Sequence, residues 1–188
     1  EDWMAEKKPY NVYPSSIDID KAINTINNSK KPLIISGRGA LKSGQQILKF
    51  INKYNIPYLE TQDSRGLIPQ SNPNNIFAAR SKAMSEADLV ILLGRKLDYQ
   101  LAFGSPAVFK EAKFIRISES ALELTDNRRG FPEILSDPGV AIELIHNKLN
   151  KPNFDETWIN DIKNFHLEKI KKVLDKKINK TGDDDKIN

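Results

Sequence analysis

Four short stretches of this chain combine residue types and positions that suit an anionic ligand. Gly37-Arg38-Gly39-Ala40 stands where an apolar run hands over to a helical pattern. Glycines there let backbone approach a ligand, and N–H groups at a helix start, with the helix dipole, favour a phosphate. The spacing completes no fingerprint: position 42 is Lys rather than a third glycine, and no Gly-Lys-Ser/Thr follows. An ordinary tight turn accounts for the same residues, and spacing alone leaves both readings open. Gly94-Arg95-Lys96 closes an apolar strand at its carboxyl end, where open α/β sheets bind ligands. Arg80, in the helical stretch AARSKA, is either a solvated cation or a phosphate ligand, and the second role needs convergence with the Gly37 loop. Asp137 precedes a proline and reads first as a helix N-cap, with a nucleotide-contacting carboxylate as the alternative.

The same search yields no catalyst. The two histidines, His146 and His166, fall on or beside apolar helical stripes and read as packed side chains. No Ser/His/Asp set, paired-carboxylate set or metal cluster assembles, so no catalytic residue and no metal ligand is assigned.

The elements that must position these residues follow from periodicity. Ile19, Ala22, Ile23 and Ile26 recur at helical spacing, and Asn27-Asn28-Ser29 ends that helix. Pro32–Ser36, Ile56–Thr61 and Leu89–Leu93 read as strands, the first and last apolar throughout, as in a sheet covered on both faces. Helices are predicted around Ile47–Tyr54, over Ala78–Ala87 and from Asp137 to Leu149. Lys113–Ile117 alternates apolar and charged residues, which predicts an edge or half-exposed strand. Strands alternating with helices in this way make a three-layer, Rossmann-like α/β domain with a mainly parallel sheet over residues 17–150. Residues 1–16 lack either periodicity and read as an interdomain linker. Beyond Lys151-Pro152-Asn153, Asp155–Ile178 forms one long helix, with Trp158, Ile162, Ile170, Val173, Leu174 and Ile178 on its apolar side, and the tail from Thr181 is expected to be disordered.

Composition narrows the classes further. With 29 Lys+Arg against 25 Asp+Glu the net charge is +4, too mild to demand a nucleic-acid partner. The lysines of the long helix alternate with Asp161, Glu168 and Asp175 and read as a solvated face. Cysteine is absent, which excludes disulfides, thiol nucleophiles and sulfur-ligated zinc. No apolar run reaches the roughly 20 residues of a bilayer span. A soluble, cytoplasmic protein is expected, and the opening Glu1 suggests a piece excised from a longer chain.

Taken in order, KPLIISGRGA, IPYLETQDSRGLIPQSNP, AARSKAMSEADLVILLGRKLDYQLAFG, KFIRISESALELTDNRR and ILSDPGVAIELI resemble the central domain of thiamine-diphosphate-dependent enzymes. That family includes acetolactate synthase, benzoylformate decarboxylase, oxalyl-CoA decarboxylase and 2-hydroxyacyl-CoA lyase. The resemblance runs from about Ala22 to Leu149 and is nearest to the acyl-CoA branch. It implies a six-stranded parallel sheet, and a middle domain with structural and nucleotide- or CoA-binding roles in a lyase, decarboxylase or carboligase acting on 2-keto acids or 2-hydroxyacyl-CoA. Its partners would be a pyrimidine-binding domain, which carries the activating Glu, and a diphosphate-binding domain, whose GDG…N motif holds Mg²⁺ and thiamine diphosphate. No GDG occurs in this chain, so alone it is expected to be inactive, its parent a homo-oligomer. The chain reads otherwise as a free-standing nucleotide-binding or regulatory module of the same fold.

In the family the central domain binds ADP, FAD or nothing. The resemblance maps a nucleotide site onto Gly37, Arg38, Gly39, Ala40, Arg80, Gly94, Lys96 (in place of the usual Arg), Ser118 and Asp137. Phosphates are expected near Arg38 or Arg80, and adenosine near Gly94 and Ser118. Where the family usually has a ribose-binding Asp after FIRI, this chain has Ser118-Glu119. Losing the charged, bidentate acceptor should weaken nucleotide binding by about 1–3 kcal/mol unless Glu119 turns inward.

Overall fold

The computed structural model describes residues 11–125 and 130–181. The first ten residues of the expected linker and the tail beyond Thr181 lie outside the described residues.

Helix α1 (Ser16–Asn27) starts where the Ser15 hydroxyl accepts from the Ile17 N–H, and it buries Ile19, Ala22 and Ile26. Strand β1 (Pro32–Ser36) is buried at every position. Helix α2 (Gly44–Tyr54) buries Ile47, Phe50, Ile51 and Tyr54, and it ends at Asn55 in the left-handed conformation. Strand β2 (Tyr58–Glu60) is shorter than the predicted 56–61 segment. The predicted Ala78–Ala87 helix is a 3₁₀ turn over Phe77–Ala79 that runs into α3 (Arg80–Glu86). Then come β3 (Leu89–Leu93), β4 (Lys113–Ser118), the short α4 (Ala121–Thr125), β5 (Gly130–Leu135), α5 (Pro138–Lys148) and α6 (Glu156–Thr181). Helix α5 starts as its sequence predicts, with the Asp137 carboxylate accepting from the Val140 N–H at 3.0 Å and proline in the first turn.

All strand pairings are parallel, in the order β2-β1-β3-β4-β5. Among the described residues the sheet therefore has five strands, where the resemblance implied six. Strand β5 has no strong signature of its own, since Gly-Phe-Pro-Glu-Ile-Leu places a proline at its third position. An edge strand with a register shift at this point accepts that residue, because Pro has no N–H to give a neighbour. Helices α1, α2 and α5 pack on one face around Ile34, Ile91 and Ile115, and α3 and α6 pack on the other around Leu33, Ile35, Val90 and Leu92. These are the expected three layers.

Strand β4 corrects the sequence expectation. It lies between β3 and β5, and Arg116, read as an exposed position, is 1% exposed. Burial is tolerated because its guanidinium donates to Glu133 Oε1 at 3.2 Å and to the Glu123 and Leu124 carbonyls at the end of α4.

Helix α6 buries Trp158, Ile159, Ile162 and His166, and the Trp158 indole donates to Glu86 Oε2 at 3.0 Å. Further along, Val173 and Leu174 are exposed. At the other end of the chain, the Val12 carbonyl accepts from Asp137 N–H and Ser136 Oγ. Among the described residues, no helix is long and apolar enough to cross a membrane.

Candidate functional site

Strand order reverses at β1: β2 lies on one side and β3 on the other, so the carboxyl ends of β1 and β3 form the crevice where open parallel sheets take ligands. Four of the sequence-predicted residues, Gly37, Gly39, Ala40 and Gly94, meet there. Gly37 N–H donates to the Leu93 carbonyl, and Gly39 N–H to the Gly94 carbonyl, both at 2.9 Å. A methyl group on Gly37 would fall 2.6 Å from Gly94 O, and one on Gly39 would fall 2.8 Å from Gly94 Cα. Ala40 N–H donates back to Gly37 O at 3.0 Å. The Gly37 and Gly39 N–H groups are thus spent on joining the two turns and that of Ala40 on closing its own, and helix α2 begins only at Gly44. The glycines set the spacing of the crevice rather than presenting a row of donors to it.

Arg80 joins this centre through Arg95. The Arg95 side chain lies against Gly37, and its charge, after burial, pushes the half-buried Arg80 guanidinium below its ordinary pKa. Arg95 is held in a fork by Asp98, at 3.0 and 2.8 Å, and also donates to Gln100 at 2.7 Å. Arg80 donates to the Glu60 carbonyl at 3.4 Å, across a cleft of about 510 Å³ lined by Gln62, Arg65, Gln70, Phe77 and Gln100. Asp98 matches the charge of Arg95, and the cations that line the cleft itself are Arg65 and Arg80. Of these lining residues, Arg65 and Gln62 were missed in the sequence, although TQDSRG follows the end of a strand just as Gly94-Arg95 does. The loop that carries them is pinned by a buried hydroxyl network, in which Ser36 bonds Tyr58 and Ser64, and Thr61 and Ser64 donate to the Ser36 carbonyl.

Arg38 and Lys96 are exposed. Ser118 is buried and already engaged, donating to Glu123 Oε2 at 2.8 Å and accepting from Ser120 N–H at 3.1 Å. The carboxyl group facing out at the end of β4 is Glu119, which is hydrogen-bonded to Asp137. That bond, then burial and the Asp137 charge, hold Glu119 above its ordinary value, while Lys42 opposes them. An acid raised on folding binds more protons folded than unfolded, so its stabilising contribution is present at low pH and lost as pH rises from 4.5 through the raised value. Glu119→Gln keeps a neutral hydrogen bond to Asp137 and cannot titrate. The difference in denaturation midpoint between wild type and variant, followed from about pH 4 to about pH 7, is expected to move toward the variant as pH rises. A flat difference would show that the two carboxyl groups do not share a proton.

The fold is an open parallel α/β sheet with helices on both faces and a cleft lined by Arg65 and Arg80 beside the carboxyl end of β2. The family is shown directly: residues 19–145 match the family model for the thiamine pyrophosphate enzyme, central domain, and the chain belongs to that family. It is 33% identical to the 2-hydroxyacyl-CoA lyase of Saccharomyces cerevisiae over 77% of this chain and 27% of the relative. It is 32% identical to 2-hydroxyacyl-CoA lyase 1 of Homo sapiens over 69% of this chain and 23% of the relative. Oxalyl-CoA decarboxylase of Escherichia coli K12 is 29% identical over 88% of this chain and 30% of its own length. The chain thus spans under a third of these relatives. In fold it is similar to a Mycobacterium smegmatis enzyme described as thiamin diphosphate-dependent, with a TM-score of 0.63 at 16% identity, covering 79% of this chain and 30% of that one.

Thiamine diphosphate with its divalent metal is the cofactor of this family. Among the described residues no group of three or more His, Cys, Asp or Glu is arranged to hold that metal.

Proposed function

We propose that this chain is the middle domain of a thiamine-diphosphate-dependent lyase or decarboxylase acting on 2-hydroxyacyl-CoA or a related acyl-CoA, and that its carboxyl edge binds the diphosphate of ADP or of CoA. The segment up to residue 16 and the helix beyond residue 151 connect it to a pyrimidine-binding and a diphosphate-binding domain in a homo-oligomeric parent. The covalent chemistry belongs to the thiamine cofactor on those domains, and this domain supplies rigidity and ligand contacts.

The observation that carries the binding role is the placing of Arg80 and Arg65 on one cleft, in a chain whose relatives are named for acyl-CoA substrates. Phosphate oxygens take charge-assisted bonds from Arg80 and Arg65, and the ribose hydroxyls turn to Glu119 because Ser118 is engaged. FAD lacks support here.

Calorimetric titration of the 188-residue chain with ADP, CoA and FAD tests this reading. ADP or CoA is expected to bind, and Arg80→Ala to weaken that binding by about 10- to 100-fold, the worth of a charge-assisted bond. Glu119→Gln is expected to cost less, about 3- to 10-fold. Binding that ignores Arg80→Ala places the phosphates elsewhere.

A further inference from the structure

Helix α6 packs on the wall of the Arg80 cleft, and one of its side chains hydrogen-bonds the backbone there. His166, 6% exposed, accepts at Nδ1 from the Ala78 N–H at 3.1 Å. Its ring meets Phe77 edge-on, with centroids 4.8 Å apart and planes at 82°. Phe77 also lines the cleft, and Arg80 follows Ala78 by two residues in the same turn. A histidine nitrogen that accepts a hydrogen bond carries no proton, so this arrangement exists only with a neutral ring protonated at Nε2.

We propose that His166 is a positioning residue for the cleft: its neutral ring fixes the Phe77–Arg80 turn, and protonation of Nδ1 releases that turn and loosens phosphate binding. The proposal rests on the reading of the cleft as a phosphate site. Ala78 N–H lies in the first turn of this helical stretch, where no preceding carbonyl is in register to accept it, so the imidazole acts as its cap from a distant element. The charged groups on the two packed elements have partners of their own. Lys82 bonds Glu86 and Asp161, Lys163 donates to Asn55, Lys169 lies over Phe165, and Arg80 donates to Glu60 O. The other charged groups are Glu156, Glu168, Lys171, Lys172, Asp175 and Lys176 along α6, and Glu60 and Arg65 at the cleft. Burial lowers the His166 pKa below its ordinary 6.5. A base depressed on folding contributes stability above 6.5 and loses it as pH falls through the depressed value, so the turn is fixed at neutral pH and released in acid.

The test has a ligand-free arm and a binding arm, both on the full chain. Nitrogen-15 spectra at about pH 7.5 should show an unprotonated His166 Nδ1, and the protection of Ala78 N–H, taken relative to the intrinsic exchange rate at each pH, should fall in acid and in His166→Ala. Calorimetry with ADP then compares wild type, His166→Asn, His166→Ala and Arg80→Ala at about pH 7.5 and about pH 5.5. Asn places an oxygen near the Nδ1 position and cannot titrate, so it should retain more affinity than Ala. Because ADP itself titrates in this range, the quantity read is the wild-type change relative to that of the Asn variant. Wild type is expected to lose about 3- to 10-fold more affinity in acid than His166→Asn. A protonated Nδ1 at neutral pH, or identical pH profiles for wild type and His166→Asn, overturns the proposal. If Arg80→Ala abolishes binding while both His166 variants bind like wild type, the phosphate reading stands and the positioning role alone falls. If binding ignores Arg80→Ala, both fall, and His166 is only a tether of α6.

Discussion

Gly94→Ala is expected to destabilise the protein by about 3–5 kcal/mol, the sum of left-handed backbone strain and overpacking. Gly94 has a φ of +54°, and its new methyl group would stand 2.3 Å from the Gly39 carbonyl carbon and 2.4 Å from Ala40 N. All three contacts of that methyl within the turn are backbone, which cannot swing aside as a side chain would. Gly66→Ala is the control, because Gly66 also has a positive φ, +85°, but a methyl there meets nothing within 4 Å. It should cost only about 1–2 kcal/mol. Chemical denaturation of the two variants separates strain from crowding. Equal losses would mean that the close approach of the β1 and β3 turns does not hold the crevice together. The functional consequence follows from Arg95, which lies against Gly37 on the other side of the same contact.

Arg116→Ala should cost about 3–5 kcal/mol, the penalty for removing one partner of a buried ion pair. The substitution leaves Glu133, 25% exposed at its side chain, beside an empty volume, and it removes the donors to the Glu123 and Leu124 carbonyls. Glu123 in turn holds Ser118, so the loss reaches the ligand-facing end of β4. Arg116→Met fills much of the volume and leaves the charge of Glu133 unmatched. Combined with Glu133→Gln it should therefore cost less than the sum of the two single changes by about 1 kcal/mol or more. Strict additivity in that cycle would show that the pair is not coupled and that the cost of Arg116→Ala comes from packing and the lost carbonyl bonds.

Most of the architecture was legible in the chain. Apolar runs at Pro32–Ser36 and Leu89–Leu93, helical stripes between them and the Asp137-Pro138 start are local patterns, and local patterns survive whatever the strands do next. Three features were decided only by tertiary structure. Lys113–Ile117 alternates like an edge strand, yet β4 is interior, because Glu133 on the neighbouring strand and the carbonyls of α4 neutralise Arg116. Strand β5 carries a proline and a weak alternation, and it exists because the edge of the sheet leaves that position without a second neighbour to satisfy. The glycine turns looked like phosphate donors, but their N–H groups bond the adjacent turn across the β1–β3 pairing.

The site divides along the same line. Composition and motif nominated Arg80, Gly94 and Asp137, but the grouping of Arg80 with Arg95, of Glu119 with Asp137, and of His166 with Ala78 brings together residues 15, 18 and 88 positions apart in sequence. Periodicity reports which face of its own element a side chain occupies. Which elements stand side by side is set by strand order and by the burial of two apolar faces, and only that arrangement decides which charges share a cleft.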